Sequence, residues 1–244
     1  MRSAVAILSG LAVILTAGAA MAARPPVVVE LFTAQGCSSC GPANASVAAM
    51  AAREDVLPLT FSVDYWDYLG WKDTFAQKAF TDRQRAYAKK LGLREVYTPQ
   101  VVIDGKAQAS GVRPTQVEAL MQAQGRVLKF QPDMQWLGHT RAAVGTGRAP
   151  AGGAEVWLVR YDARAQDVAV RRGDNRGQTI EHRNVVRQLV RLGPWAGRPR
   201  VYRLPRPVED GLTSAILVQG AAGGAMIGVL VQPAEAKPEE TAAR

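Results

Sequence analysis

Residues 27–40 read VVVELFTAQGCSSC, and this stretch decides the fold. Its first six residues are mostly apolar and β-branched, which predicts a short buried strand. Cys37 and Cys40 follow, and the Ala-rich residues 42–53 predict a helix. A second strand is predicted at residues 57–63. Because a helix separates the two strands, they form a βαβ unit and should be parallel.

The chain up to Gln124 continues with two more helices and a strand pair. The predicted elements are a helix at 73–91 that ends at Gly92, strands at 100–103 and 106–110 joined by an Asp104-Gly105 turn, and a helix at 113–124. The order βαβ, helix, ββ, helix is the thioredoxin-like arrangement. We therefore predict an α/β thioredoxin-like N-terminal domain.

After Gly125 the pattern changes to short segments rich in Val, Leu and Tyr, separated by Gly- and Pro-containing turns. Residues 155–161, 179–192 and 214–219 are examples of predicted strands. Many short strands with little helix favour a mostly β, sandwich-like C-terminal domain. The predicted division is a signal peptide at 1–22, the thioredoxin-like domain at 23–128, the all-β domain at 129–232 and a flexible tail at 233–244.

The N-terminus predicts export. Arg2 precedes an apolar stretch, and Ala20 and Ala22 stand at the −3 and −1 positions of a cleavage site. An uncleaved N-terminal anchor is the alternative. Cleavage would leave a periplasmic or secreted chain without stable membrane insertion, because no other segment is long and apolar enough to span a bilayer. Both cysteines would then meet an oxidising compartment.

Composition narrows the classes of function. The 244 residues are 48% hydrophobic, which is too apolar for a disordered chain. Two cysteines allow at most one disulfide, and two histidines exclude a site that needs three or more histidines. The net charge of +9 is concentrated in residues 160–206, where 12 Arg and 4 acidic residues give +8. Export and the lack of interleaved aromatic residues argue against nucleic acid, so we expect a solvated surface or an acidic or anionic partner.

The cysteine pair carries the chemistry. Cys37 and Cys40 follow a strand and begin a helix, where backbone N–H groups and the helix dipole favour a thiolate. Cys37 is predicted to attack and Cys40 to resolve the mixed disulfide, with no cofactor and no metal required. Two alternatives remain open: an inert structural disulfide, and a two-thiolate site for a soft metal such as Cu(I), with or without a distant His.

Other residues are predicted at the same sheet edge. The aromatic loop at 65–71 follows the second strand, and its substrate-facing candidates are Tyr65, Trp66, Tyr68 and Trp71. A cis Thr98–Pro99 bond would present backbone polar groups to an extended substrate, with Thr98 as a further binding residue. The loop could instead be a hydrophobic cover, and Pro99 an ordinary trans residue that opens a strand.

Glu30 is a carboxylate within an apolar strand. Burial would raise its pKa and let it pass a proton to the resolving thiol, which makes it a candidate catalytic residue. The alternative is a residue on the strand face that points to solvent or pairs with a Lys.

The motifs VELFTAQGCSSC (29–40), VDYWDYLGWKD (63–73) and YTPQ (97–100) resemble a family of bacterial secreted, thioredoxin-like proteins of unknown function. The similarity continues through RGDN (172–175) and NVVR (184–187). The resemblance implies a thioredoxin-like fold, a matching cysteine pair and a cis-Pro position, without an established substrate. Gly41-Pro42-Ala43-Asn44 departs from the family's usual Pro-Pro-Ala-Asp, and Gly41 gives the backbone beside Cys40 more freedom.

Together these observations predict an exported thiol–disulfide oxidoreductase that acts on unfolded or extended protein substrates or on a redox partner. The rival prediction is a non-catalytic binding module, in which the disulfide is structural and the basic β domain docks an anionic partner.

Overall fold

The computed structural model describes residues 25–124 and 131–233, and its helices are few. The first range contains β1 (Val27–Thr33), α1 (Cys40–Ala49), β2 (Val56–Ser62), α2 (Lys78–Lys90), β3 (Gln100–Ile103), β4 (Ala107–Ser110) and α3 (Pro114–Gln124). The second range contains β5 (Met134–Trp136), β6 (Arg141–Val144), β7 (Ala154–Asp162), β8 (Gln166–Ala169), β9 (Thr179–His182), β10 (Val185–Trp195), β11 (Arg200–Arg203), β12 (Thr213–Gly220) and β13 (Met226–Val231). The predicted signal peptide, nearly all of the predicted tail and the boundary near residue 128 lie outside the described residues.

One large mixed sheet runs through both parts of the chain. Its eight strands have the order β13-β12-β7-β10-β2-β1-β3-β4. Strands β1 and β2 are parallel, as the βαβ pattern predicts, and β3 is antiparallel to β1. A three-stranded sheet, β11-β6-β5, and the pair β8-β9 are separate from it. Strands from both sides of residue 128 therefore share the main sheet.

The junction between β2 and β10 explains an error in strand prediction. Residues 179–192 do not form one strand, because Asn184 adopts a left-handed conformation with φ of 51° and separates β9 from β10. Thr60 donates its N–H to the carbonyl of Asn184 (2.9 Å), and the Asn184 amide donates to the carbonyl of Pro58 (2.8 Å). β10 can thus join the main sheet while β9 leaves it and pairs with β8.

The main sheet is covered on both faces because its strands are apolar on both faces. Helix α2 packs on one face through Phe80 and Tyr87, against side chains from β1 and β2 and from β7 and β12. Alternate residues of β1 face α1 and α3, and alternate residues of β7 and β12 face the three-stranded sheet. Since side chains alternate along a strand, α1, α3 and the small sheet lie opposite α2.

Helix α2 begins later than the amphipathic pattern at 73–91 predicts. The Asp73 carboxylate accepts backbone N–H groups from Phe75 (2.9 Å) and Ala76 (3.1 Å), which holds the chain in a turn. Gln77 is extended, and the helix starts at Lys78. A local side-chain bond thus replaces the first predicted helical turn.

The sheet curves around α2 so that distant strands meet. The Met226 N–H donates to the carbonyl of Asp104 (2.8 Å) in the β3–β4 turn. Asp104 and Gly105 both have positive φ, as the predicted hairpin turn requires, and a side chain on Gly105 would overlap the carbonyl oxygen of Gly224. Among the described residues, no helix has the length and apolarity needed to cross a membrane.

Candidate functional site

Cys37 and Cys40 form a disulfide at the start of α1, with Cα atoms 5.4 Å apart. Two turn hydrogen bonds shape the segment: Cys37 N–H to the carbonyl of Ala34, and Cys40 N–H to the carbonyl of Cys37, both 3.1 Å. Cys37 is 1% exposed and Cys40 is fully buried, whereas Ser38 and Ser39 are exposed. The structure therefore shields both sulfurs from solvent in the oxidised chain.

Two features beside Cys37 would stabilise a thiolate after reduction, whereas its burial among apolar side chains opposes one. The first turn of α1 contains no acidic residue, so the positive end of the helix dipole is not opposed there. The Ser39 Oγ lies 3.6 Å from Cys37 Sγ and could donate a hydrogen bond to a thiolate. Both effects lower the cost of an anionic sulfur at this position.

The structure brings Pro99, Thr98 and Trp66 to the cysteine segment. The Thr98–Pro99 peptide bond is cis. A Cβ placed on Gly111 would lie 2.8 Å from Ala43 Cβ and 3.1 Å from Pro99 Cβ, so Pro99 and the first turn of α1 meet across this glycine. Trp66 Nε1 donates to Thr98 Oγ1 (2.7 Å). These contacts link three of the predicted site residues to one another and to the first turn of α1.

The other aromatic candidates differ in their distance from the cysteine loop and in their burial. Trp71 Nε1 donates to the side-chain oxygen of Gln35 (2.9 Å), two residues before Cys37. A Cβ on Gly36 would lie 3.9 Å from Trp66 Cβ. Tyr65 is half-buried, and this burial raises its pKa to about 12. Tyr68 is 79% exposed and points away from the protein interior.

Glu30 is buried in an ion pair. Its carboxylate accepts from Arg83 Nε (2.7 Å) and from the hydroxyl of Tyr87, both on α2. The Arg83 guanidinium lies 5.2 to 5.7 Å from the ring centroids of Phe61, Tyr87 and Trp157. Glu30 thus neither points to solvent nor pairs with a Lys, and proton transfer to Cys40 stays a prediction.

Gln35 and Asp73 fix the loop before the cysteines, and sequence reasoning missed both. Asp73 Oδ2 accepts the backbone N–H of Gln35 (2.7 Å), and the Gln35 side chain bonds the backbone and hydroxyl of Thr74. Burial raises the pKa of Asp73 to about 6. The segment at 71–76 is therefore tied directly to the cysteine loop.

Residues 166–182, here called the cap hairpin, contact the disulfide segment from the C-terminal part of the chain. Asn175 is buried, and its amide donates to the carbonyl of Gln35 (2.8 Å) and to that of Cys37 (2.9 Å). A Cβ on Gly41 would lie 4.0 Å from Ile180 Cδ1. The motif at 172–175 marked this loop by resemblance, but its place against the cysteines had no signal in the sequence.

A buried polar chain anchors the cap hairpin to α1. Thr33 Oγ1 donates to Asn44 Oδ1 (2.8 Å), and Asn44 Nδ2 lies 3.3 Å from His182 Nδ1. Because Asn44 donates through its amide nitrogen, His182 accepts at Nδ1 and is neutral with its proton on Nε2. His182 is fully buried, and burial lowers its pKa to about 4.

This pKa predicts a loss of stability in acid. Between about pH 6.5 and pH 4 the unfolded chain takes up a proton on His182 that the folded chain excludes, so folding weakens as pH falls through this window. The limiting contribution is about 3 kcal/mol at 1.36 kcal/mol per pKa unit. Urea unfolding at pH 7.0 and pH 4.5 should show a smaller acid loss for His182→Gln than for the unmodified protein.

His139→Gln is the matched control, because His139 is exposed. Asp73 acts in the opposite direction, since its raised pKa lowers stability as pH rises towards 6. The comparison therefore uses the difference between variants at each pH. An acid loss that is equal in His182→Gln and in the unmodified protein would contradict the assignment.

No metal-binding group of three or more His, Cys, Asp or Glu side chains occurs within residues 25–124 and 131–233. A two-thiolate site at the reduced cysteines is of a different kind and stays a prediction.

The comparisons with known proteins extend over most of the chain. The model of a family described as "Protein of unknown function (DUF1223)" matches residues 28–219. The structure is similar to the crystal structure of protein AGR_C_4864 from Agrobacterium tumefaciens, with a TM-score of 0.69 and 32% identity over 89% of this chain and 99% of that one. It also shares its fold with HBP35 of Porphyromonas gingivalis, with a TM-score of 0.54 and 13% identity over 91% of this chain and 78% of that one. No curated protein matches the chain.

Proposed function

The chain belongs to the DUF1223 family of proteins of unknown function, and from this premise we propose that it is an exported, thioredoxin-like thiol–disulfide oxidoreductase. Its substrates are unfolded or extended proteins, or a protein redox partner. The observation that carries the proposal is the Cys37–Cys40 disulfide at the N-terminus of a helix that follows a central strand. Helix N-termini stabilise thiolates, which are the reactive form in disulfide exchange.

The arrangement around the pair supports a thioredoxin-like reading. Parallel β1 and β2, with β3 antiparallel beside β1 and β4 beyond it, follow the order that the element pattern predicts. Pro99 begins the segment that leads into β3 and packs near α1. Export is supported by the signal-peptide pattern at residues 1–22 and by an oxidised cysteine pair.

The exchange reaction conserves atoms and electrons. In the reducing direction, the Cys37 thiolate attacks one sulfur of a substrate disulfide and forms a mixed disulfide with it. The other sulfur of the substrate disulfide leaves as a thiolate. The Cys40 thiolate then attacks Cys37 Sγ, which closes the Cys37–Cys40 disulfide and releases the second substrate sulfur. Two electrons pass from the protein to the substrate, whose sulfurs take up the two protons. The oxidising direction is the reverse.

A structural disulfide is the second candidate, and the burial of both sulfurs favours it. In that function the chain is a binding module, and the arginine-rich C-terminal part docks an anionic partner. The two functions differ in reduction potential, because structural disulfides lie below about −300 mV whereas catalytic pairs span about −120 to −270 mV.

Trapping of the mixed disulfide tests the proposal. Reduced Cys40→Ser retains the attacking sulfur but cannot resolve, so it should accumulate a covalent adduct with insulin chains on a non-reducing gel. Reduced Cys37→Ser is the matched control, because it keeps one thiol but lacks the attacker, and it should form little adduct. A reduction potential of the Cys37–Cys40 pair below about −300 mV, together with no adduct from either variant, would contradict the proposal and support the structural disulfide.

A further inference from the structure

Arg160 is a buried cation without an anionic partner among the described residues. It lies on β7 with 3% exposure. Its guanidinium donates to Gln188 Oε1 (2.7 Å) on β10 and to Ser214 Oγ (3.4 Å) on β12, and both groups are neutral. The more exposed Arg164 and Arg191 each pair with a carboxylate instead. Removing a guanidinium from water without a counter-charge is costly, so this position favours an incoming anion.

Arg160 lines a cavity that could receive such an anion. The cavity has a volume of about 480 Å³, within the range of small-molecule sites. Its apolar walls come from Trp136, Leu204, Pro207 and Leu212. Burial lowers the pKa of Arg160, which is consistent with a cation that lacks compensation.

Three arginines line a second concavity beside this cavity. Strands β6 and β11 place Arg141 directly opposite Arg203, although like charges in that position repel. Both arginines and Arg206 line a concavity that shares Leu204 with the Arg160 cavity. Their combined field would attract an anion towards the entrance.

We propose that the Arg160 cavity binds a small organic carboxylate, with the carboxylate on the guanidinium and the apolar body against Trp136, Leu204 and Leu212. One buried guanidinium with a hydroxyl beside it matches a single negative charge, and the planar fork fits two carboxylate oxygens. Inorganic anions would leave the apolar walls unused. The site is on the opposite side of β7 from Trp157, and it is independent of the cysteine chemistry.

Calorimetry with probe molecules tests the site in the chain that begins at residue 23. The acids are 3-phenylpropionate, benzoate and hexanoate. The neutral match is 3-phenylpropionamide, and inorganic phosphate is the anion without an apolar body. At least one acid should bind, and 3-phenylpropionate should bind about tenfold or more tightly than its amide. Arg160→Gln should abolish this preference, whereas Arg198→Gln, which changes an exposed arginine outside the cavity, should leave it intact. The acid–amide comparison in the unmodified chain does not depend on how Arg160→Gln folds.

Three results would overturn the proposal. The first is failure of all three acids to bind, and the second is equal binding of acid and amide, or of acid and inorganic phosphate. The third concerns Glu235, which follows Pro233 of the cavity wall by two residues in the sequence. If the acids bind only to Glu235→Gln, a carboxylate of the chain itself occupies Arg160, and the external ligand is excluded.

Discussion

Glu30→Gln is expected to lower the free energy of unfolding by about 3–5 kcal/mol, the usual cost of removing one partner from a buried ion pair. The Glu30 and Arg83 side chains are 1% and 5% exposed, and their contact is 2.7 Å. The variant would leave the Arg83 charge among the rings of Phe61, Tyr87 and Trp157. Cation–π attraction there is too weak to replace a carboxylate.

The double variant Glu30→Gln/Arg83→Met is the control, because it removes both charges and should recover most of the loss. Urea unfolding at pH 7 measures all three proteins. A loss below about 1 kcal/mol, or a double variant no more stable than Glu30→Gln, would contradict the ion-pair assignment. The pH profile of disulfide exchange separates a proton-transfer role of Glu30 from a structural one. A proton-transfer role predicts that Glu30→Gln shifts the profile and that Tyr87→Phe does not.

Asn175→Ala is expected to accelerate reduction of the Cys37–Cys40 disulfide by dithiothreitol by about tenfold to thirtyfold. Cys37 is 1% exposed, and the cap hairpin is bonded to the cysteine loop. We infer that separation of the cap hairpin from this loop gives a thiolate access to the sulfur. Asn175 contributes two hydrogen bonds to this closed state. Each is worth about 1 kcal/mol net, and 1.4 kcal/mol changes an opening equilibrium tenfold.

Arg176→Ala is the matched control, because Arg176 is an exposed neighbour on the same loop. The disulfide of this variant should be reduced at the same rate as that of the unmodified protein. The second-order rate constant is measured at dithiothreitol concentrations where far-UV circular dichroism shows both variants folded. An unchanged rate for folded Asn175→Ala would mean that the cap hairpin does not limit access. It would leave the trapping experiment on Cys37 and Cys40 unaffected.

Local patterns predicted the elements that carry the cysteines. The parallel pair β1–β2, the helix after Cys40 and the Asp104-Gly105 turn all follow from apolar runs and turn residues close in sequence. The predicted start of α2 was wrong because one carboxylate, that of Asp73, accepts hydrogen bonds from nearby backbone N–H groups. Strand β6 had no prediction, since its four residues RAAV carry a weak pattern.

The contacts that surround the disulfide were not predictable in this way. Asn175 reaches the carbonyl of Cys37 across 138 positions of sequence, and Asn44 meets His182 across the same separation. Neither pair has a periodic or spacing signal. Arg160 likewise looks like one of many arginines in the sequence, and only its neighbours on β10 and β12 distinguish it.

By itself, the sequence determined that two cysteines lie between a strand and a helix, because strand runs and helix starts depend on residues a few positions apart. Only the tertiary structure decided that both sulfurs are shielded, that Glu30 pairs with Arg83 and that Arg160 has no carboxylate partner within residues 25–124 and 131–233. Those outcomes depend on which distant strands pair, and burial then sets the cost of each charge and the accessibility of each sulfur.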